Sequence, residues 1–213
     1  MKTDTLISLL VSDLDPVDQV VPWSRFWPSI AYAVGASCIL MVLLYGLHPE
    51  LEEMLCAPVF WAKLALPVSL AGIVAMVTMR LSYPGVPIGV PAVCWMLPIL
   101  CVACWGAYLL VNTSTGERAS LILGRTWRTC SLNITLLSIP AFIAITRTLR
   151  SLAPTRLRIA GAAAGLLSGA LGATVYCAHC PEMSPVFWAT WYVPGMCVPA
   201  VAGALLGPRL LRW

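Results

Sequence analysis

Six long apolar stretches, separated by short polar links, fill almost the whole of this 213-residue chain. A helix needs about 20 residues to cross the hydrocarbon core of a bilayer, and each stretch is close to that length. The stretches are too long for barrel strands and lack their alternation of apolar and polar residues. The sequence therefore predicts an all-α polytopic membrane protein, a bundle of six transmembrane helices over residues 26–47, 59–79, 88–111, 127–146, 158–178 and 186–206.

The composition excludes an ordinary soluble domain, because 60 % of the residues are hydrophobic, 10 % are charged and the mean hydropathy is +0.86. Residues 26–213 are predicted to form the transmembrane domain, and residues 1–25 remain outside the membrane. Prolines within a membrane helix are tolerated when neighbouring groups satisfy the freed carbonyls. The predicted spans contain Pro67, Pro98, Pro140, Pro194 and Pro199.

The placement of lysine and arginine predicts the orientation. With the N-terminus in the cytosol, nine of the 13 basic residues fall on the inner side and four on the outer side. The positive-inside rule then places both termini in the cytosol. Because the arginines are spread over the membrane edges, no direct nucleic-acid partner is expected. The outer four are Lys63, Arg118, Arg125 and Arg128.

Small residues mark one face of the fifth span. Gly161, Gly165 and Gly169 recur at every fourth position, and Gly203 and Gly207 repeat the spacing in the sixth span. A helix face without side chains lets a neighbouring helix approach closely. This pattern predicts tight helix packing within one chain rather than a dimer seam.

The first 25 residues are predicted to contain a short amphipathic helix. Thr3 can cap it, and Asp4 lies in its first turn, where the helix dipole favours an acid. Pro16 ends the helix. Its apolar stripe consists of Leu6, Leu9, Leu10 and Leu14.

Two interpretations of this helix compete. It is either an interfacial helix resting on membrane lipid or a docking peptide that enters a groove of a soluble partner. Interfacial helices usually carry lysine and arginine on the polar face. Here that face carries Asp4, Asp13 and Asp15, with Lys2 as the only base. The acidic face favours the docking peptide.

The nine cysteines divide by position. Cys38, Cys94, Cys101, Cys104 and Cys197 lie within predicted spans, where a thiol behaves as a small hydrophobic group. The remaining four lie at the outer ends of spans or in outer links, where an oxidising periplasm permits disulfides. They are Cys56, Cys130, Cys177 and Cys180.

The link between the fifth and sixth spans contains the highest density of reactive and metal-binding residue types. Cys177, His179, Cys180 and Glu182 follow one another there, and Cys130 begins the fourth span on the same side. Two thiols, an imidazole and a carboxylate form a credible soft-metal site. The same thiols also suit a disulfide whose formation shifts two helices. A single C-x-x-C does not decide between metal and redox chemistry.

Other polar residues cluster at the same outer side. Arg125 and Arg128 could pair with Glu182 or Glu117, and an ionisable group at membrane depth is a functional candidate. The same arginines could instead extend to the lipid headgroups beside interfacial tryptophans. The sequence leaves these alternatives open.

Several segments together resemble the NrsF (negative regulator of sigma F) family, six-span bacterial membrane anti-sigma factors that restrain extracytoplasmic function (ECF) sigma factors. The resemblance runs in order along essentially the whole chain. Its most specific blocks are Gly124–Trp127 and His179–Glu182. The matching segments are Met1–Ile7, Phe60–Leu64, Leu123–Cys130, Leu152–Arg156, His179–Glu182 and Leu206–Leu210.

The resemblance implies a transcription regulator of the bacterial inner membrane, without catalysis, cofactor or small-molecule substrate. The cysteines equivalent to Cys130 and Cys180 are implicated in sensing heavy-metal or oxidative stress, with transient metal binding as one mode. The N-terminal segment would hold the sigma factor at the membrane. The residues expected to bind it are Asp4, Leu6, Ile7, Leu9, Leu10 and Leu14.

An alternative function is a membrane thiol–disulfide oxidoreductase that passes electrons from outer cysteines to a quinone. Cys177 and Cys180 have the spacing of a redox-active pair. A small transporter is less favoured, because no charged residue can be placed securely at mid-membrane depth.

Overall fold

The computed structural model describes residues Thr3, Thr5, Ile7, 21–83, Val86 and 89–212. Throughout this part of the chain the regular structure is helical and contains no strand, which confirms the all-α prediction. The helices are α1 (Val21–Leu44), α2 (Leu51–Cys56), α3 (Pro58–Leu81), α4 (Pro91–Cys94), α5 (Met96–Asn112), α6 (Thr115–Leu123), α7 (Trp127–Arg150), α8 (Leu157–Tyr176) and α9 (Pro185–Leu210).

The number of spanning helices differs slightly from the prediction. Five helices of the described chain are long and apolar enough to cross a membrane, the third of them combining α6 and α7. The predicted span over 88–111 is instead divided into α4 and the 17-residue α5. Gly89 has a positive φ of 65°, and Pro91 starts a new helix after it. The backbone therefore turns where the prediction placed the beginning of a continuous helix.

Helix α8 forms the centre of the bundle, and its glycines lie against the backbone of α9. A Cβ atom on Gly161 would collide with the carbonyl oxygen of Gly203, and one on Gly165 would collide with that of Pro199. Gly169 faces the backbone of Met196 in the same way. The two helices are thus closer than side chains would allow, and van der Waals contact between backbones holds them together.

Helix α9 contains one irregular stretch. Residues Trp188–Tyr192 form a π-helical turn within it. Such turns are rare and occur often at functional sites, because they redirect side chains that an α-helix would place elsewhere. Trp188 and Tyr192 are both fully buried, so the turn directs two large rings into the bundle.

Helix α1 packs along α7 through polar as well as apolar contacts. The buried Ser37 hydroxyl donates a hydrogen bond of 2.8 Å to the carbonyl oxygen of Leu137. Nearer the start of α1, the hydroxyls of Ser29 and Thr148 lie 2.5 Å apart. These contacts fix the rotation of α1 against α7.

The predicted N-terminal helix falls mostly outside the described residues. Thr3, Thr5 and Ile7 are helical and exposed, and 53 % of the Ile7 side chain is accessible. The other residues expected to bind the sigma factor lie outside the described part of the chain: Asp4, Leu6, Leu9, Leu10 and Leu14.

Candidate functional site

The two most specific sequence blocks, Gly124–Trp127 and His179–Glu182, lie against each other. The Glu182 carboxylate accepts hydrogen bonds from the backbone N–H groups of Arg125, at 2.6 Å, and Thr126, at 3.2 Å. These N–H groups precede the first turn of α7, where the backbone has no intrahelical acceptor and the helix dipole is positive. Glu182 therefore binds the start of α7 and ties the link between α8 and α9 to it.

The contact differs from the side-chain ion pairs that the sequence suggested. Arg125 reaches Glu182 with its backbone N–H, not with its guanidinium. The Arg128 guanidinium lies over the ring of Trp127, 5.2 Å from the ring centroid. This position is typical of a cation–π contact.

A glycine is required at position 124 for this approach. Gly124 has a φ of 54°, in the left-handed region that side chains disfavour. A Cβ atom there would also lie 2.7 Å from the Glu182 carboxylate and 2.8 Å from the Phe187 ring. Any larger residue would push the link away from α7.

The anchored link brings Cys180 to Cys130. Both side chains are fully buried, and each thiol lies close enough to the other to interact with it electrostatically. The Thr126 hydroxyl lies 3.9 Å from the Cys180 sulfur. Both cysteines are free thiols. The two positions that the resemblance assigns to sensing thus form one buried thiol pair, Cys130 and Cys180.

A buried lysine lies beside this thiol pair. Lys63, from the first turns of α3, is fully buried, and its Nζ atom donates a hydrogen bond of 2.5 Å to the carbonyl oxygen of Cys180. The neighbouring Cys130 thiol and the positive charge of Lys63 lower the pKa of the Cys180 thiol below its ordinary value, although burial opposes them. The positive charge of Lys63 therefore favours the thiolate form of Cys180.

Tyr192 closes the site from the π-helical turn of α9. Its ring lies 5.7 Å from Lys63 Nζ, measured to the ring centroid. Its hydroxyl lies against Cys177 and Cys180, and within the described chain no partner of ordinary hydrogen-bond geometry satisfies it. Cys177 is also fully buried, so three thiols share this environment.

His179 contacts the segment just after α1. Its Nδ1 atom lies 3.1 Å from the carbonyl oxygen of Gly46, just after α1. Its ring also contacts the rings of Tyr45 and Tyr176, with centroid separations of 5.4 Å and 5.8 Å. The Tyr45 hydroxyl in turn donates a hydrogen bond to Asn133 Oδ1 at 3.0 Å. His179 thus joins the link to the end of α1.

The predicted donor set is not assembled around one point. Among the described residues, no group of three or more His, Cys, Asp or Glu side chains is arranged to hold a metal ion. Glu182 is engaged by the start of α7, and His179 by the end of α1. Of the predicted set Cys130, Cys177, His179, Cys180 and Glu182, only the three cysteines share one environment.

Sequence reasoning missed the role of Lys63, which it counted only as an outer basic residue. A signal was available, because a lysine five residues after the start of an otherwise apolar helix requires compensation for its charge. Tyr192 and Thr126 carried no such signal. They reach the thiols only because the π-helical turn and the link bring them there.

Comparison with known protein families gives a match over most of the chain. The family model described as "Negative regulator of sigma F", NrsF, matches residues 10–213. The chain belongs to the NrsF family. Both blocks that form the site lie within the matched region, whereas the first nine residues of the chain precede it.

Two relatives align with this NrsF-family chain over its full length and theirs. One, from Azospira oryzae, is named "Probable anti-sigma-F factor NrsF" and is 38 % identical over 213 residues. The other, from Caulobacter vibrioides, is named "Anti-sigma-F factor NrsF" and is 34 % identical over 219 residues. No solved structure matches the chain.

Proposed function

We propose that this NrsF-family chain is an inner-membrane anti-sigma factor. It sequesters an ECF sigma factor through its cytosolic N-terminal segment and releases it when a periplasmic oxidant or heavy metal modifies Cys130 and Cys180. The names of both relatives support a sigma factor as the partner. The described residues contain five helices that are each long and apolar enough to span a membrane, which supports the location in the inner membrane.

The proposal that Cys130 and Cys180 sense the signal is supported by the buried contact between their thiols. They come from different segments, Cys130 from α7 and Cys180 from the link between α8 and α9. A bond between them would join those segments covalently. Because packed helices shift between discrete arrangements rather than deform continuously, a change at such a junction can move whole helices.

The chemistry of the pair suits both kinds of signal. A hydroperoxide takes two electrons and two protons from the thiols, which become a disulfide, while the oxidant leaves as an alcohol and water. A thiophilic metal ion displaces both thiol protons and binds the two sulfurs. Release of the partner then requires that modification lower its affinity, and each tenfold decrease corresponds to about 1.4 kcal/mol.

Binding of purified ECF sigma factors to the full-length protein in lipid nanodiscs tests the partner. We expect one ECF sigma factor of the host to bind. Leu6→Asp or Leu10→Asp should weaken it at least about tenfold, since a charge would enter an apolar contact. Ser8→Asp adds the same charge to the polar face and serves as the matched control. Binding that is unchanged in both leucine variants would contradict the proposal.

The same nanodiscs test the signal. A hydroperoxide should release the bound sigma factor from the wild type and from Cys56→Ala, whose thiol is exposed and distant in sequence from the pair. Release should be lost in Cys130→Ala and Cys180→Ala. If both variants still respond, the thiol pair is not the sensor.

The oxidoreductase alternative predicts a different outcome in membranes. An enzyme would oxidise a dithiol substrate through many turnovers, with Cys177 and Cys180 alternating between thiols and disulfide. A sensor uses its thiols once per signal. Substrate oxidation in large molar excess over the protein would favour the enzyme.

A further inference from the structure

Lys63 is a buried charge whose surroundings are unusual for a lysine. Its side chain is fully buried between α3, α9 and the link that carries Cys180. Its ammonium donates a hydrogen bond to the Cys180 carbonyl oxygen, lies near the Tyr192 ring and interacts electrostatically with nearby thiols. Within the described chain, it makes no ion pair with a carboxylate. Among these neighbours, the thiols lose a proton more readily than the Tyr192 hydroxyl does.

Burial of an ammonium group without a counter-ion is unfavourable, and a neutral carbonyl compensates for only part of the lost hydration. The hydrogen bond to Cys180 O explains how Lys63 holds the link in place. It does not explain why a charged residue holds it, since a glutamine or a serine would donate an equivalent bond. A positive charge beside sulfur is useful when the sulfur becomes negative during reaction.

We propose that Lys63 is a positioning residue of the thiol sensor, which fixes Cys180 through its carbonyl and stabilises negative charge that develops on the Cys180 sulfur. The proposal rests on the proposed function of the thiol pair and assigns different roles to its members. Cys180, whose own carbonyl holds the ammonium, reacts first. Cys130, on α7, completes the reaction.

With a hydroperoxide, the two roles give a balanced sequence. The Cys180 sulfur attacks the peroxide and becomes a sulfenic acid, and an alcohol leaves. The Cys130 sulfur then attacks the sulfenic acid, a disulfide forms, and the oxygen leaves as water. Negative charge is present on Cys180 sulfur in the first step, which is the step that Lys63 assists.

A pair of alkylating reagents that differ in charge tests the electrostatic role. Iodoacetate is an anion and iodoacetamide is neutral, and both are small. Their rates at Cys180 are measured by mass spectrometry of the Cys180 peptide, using the full-length protein in nanodiscs. The ratio of the two rates reports the local potential, whereas a change in access affects both reagents alike.

We expect Lys63→Met to lower the iodoacetate-to-iodoacetamide ratio by about three- to tenfold, because a unit charge hydrogen-bonded to the Cys180 backbone is removed. Lys63→Arg should keep the ratio within about twofold, because the charge remains. An unchanged ratio in Lys63→Met would overturn the proposal. So would a Cys180 that reacts with neither reagent in the wild type.

A second measurement needs no variant. In the wild type, the iodoacetate-to-iodoacetamide ratio at Cys180 should exceed the ratio measured for N-acetylcysteine amide, a neutral model thiol. An apolar site alone would disfavour the anionic reagent and lower the ratio, so a higher ratio requires the positive charge of Lys63. An equal or lower ratio contradicts the role of Lys63. Sigma-factor binding and release test the proposed function, whereas the alkylation ratio tests the role of Lys63. Because the two are measured independently, failure of one proposal can be told from failure of the other.

Discussion

At the scale of single residues, Glu182 determines the geometry of the site. Its carboxylate replaces the missing acceptors at the start of α7, and its backbone carbonyl accepts a hydrogen bond of 3.0 Å from the Trp188 indole. One residue therefore connects the link with α7 and with the π-helical turn of α9. Because Cys180 is two positions earlier, its distance from Cys130 depends on this anchor.

Replacement of Glu182 should weaken both the fold and the thiol contact. We expect Glu182→Ala to lower stability by about 1–2 kcal/mol, as for loss of a helix cap, and to slow the diamide-induced disulfide between Cys130 and Cys180. Thermal unfolding and mass spectrometry of the disulfide measure the two effects. Glu117→Ala is the matched control, since Glu117 is exposed and bonded only locally to Ser114 and Ser120. Equal effects of both variants would show that the cap is unimportant.

The sequence predicted part of the site, and the limits have a physical cause. The sequence placed Cys130 on the same side as the link that carries Cys180, and in the structure the two thiols are neighbours. Spacing did not show that the adjacent residues His179 and Cys180 have different neighbours, His179 the carbonyl oxygen of Gly46 and Cys180 the hydroxyl of Thr126. Periodicity and spacing describe regular elements, and they do not fix side-chain directions in a link.

At the scale of secondary structure elements, the contact between α8 and α9 depends on missing side chains. The glycine spacing predicted this face, because helical periodicity alone brings Gly161, Gly165 and Gly169 to one side. Neither the turn at Gly89 before α4 nor the break between α4 and α5 was predicted, since an apolar run does not reveal where a helix is interrupted. Composition thus indicates a membrane helix better than it indicates the helix boundaries.

Addition of a single methyl group should separate these helices. Gly165→Ala places a Cβ atom against the backbone of Pro199 and Ala200, and backbone cannot move aside as a side chain can. We expect destabilisation of about 1–3 kcal/mol, seen as a lower thermal midpoint in detergent. Gly72→Ala is the control, because nothing lies within 4 Å of a Cβ atom there. A neutral Gly165→Ala variant would mean that the helices pack less closely than described.

At the scale of the whole molecule, the proposed scheme requires opposite locations for the two functional ends. The link that carries Cys180 contacts Gly46 and His48, immediately before α2. The exposed Cys56 at the end of α2 is therefore a native reporter for that end of the bundle. The N-terminal segment precedes α1, whose far end meets the link.

Impermeant thiol labelling of intact cells tests this arrangement. A charged maleimide should label the wild type at Cys56, and Cys56→Ser should lose that label. In a Cys56→Ser background, Ser8→Cys should become labelled only after the membrane is permeabilised. Labelling of Ser8→Cys in intact cells would reverse the orientation and contradict the scheme.

The contact between His179 and the segment just after α1 has a mechanical consequence. Helix α1 has 24 residues and is thus about 36 Å long, and its start continues directly into the N-terminal segment. A force applied through the link therefore acts at the C-terminal end of α1, whereas a force from a protein bound to residues 1–20 acts at its N-terminal end.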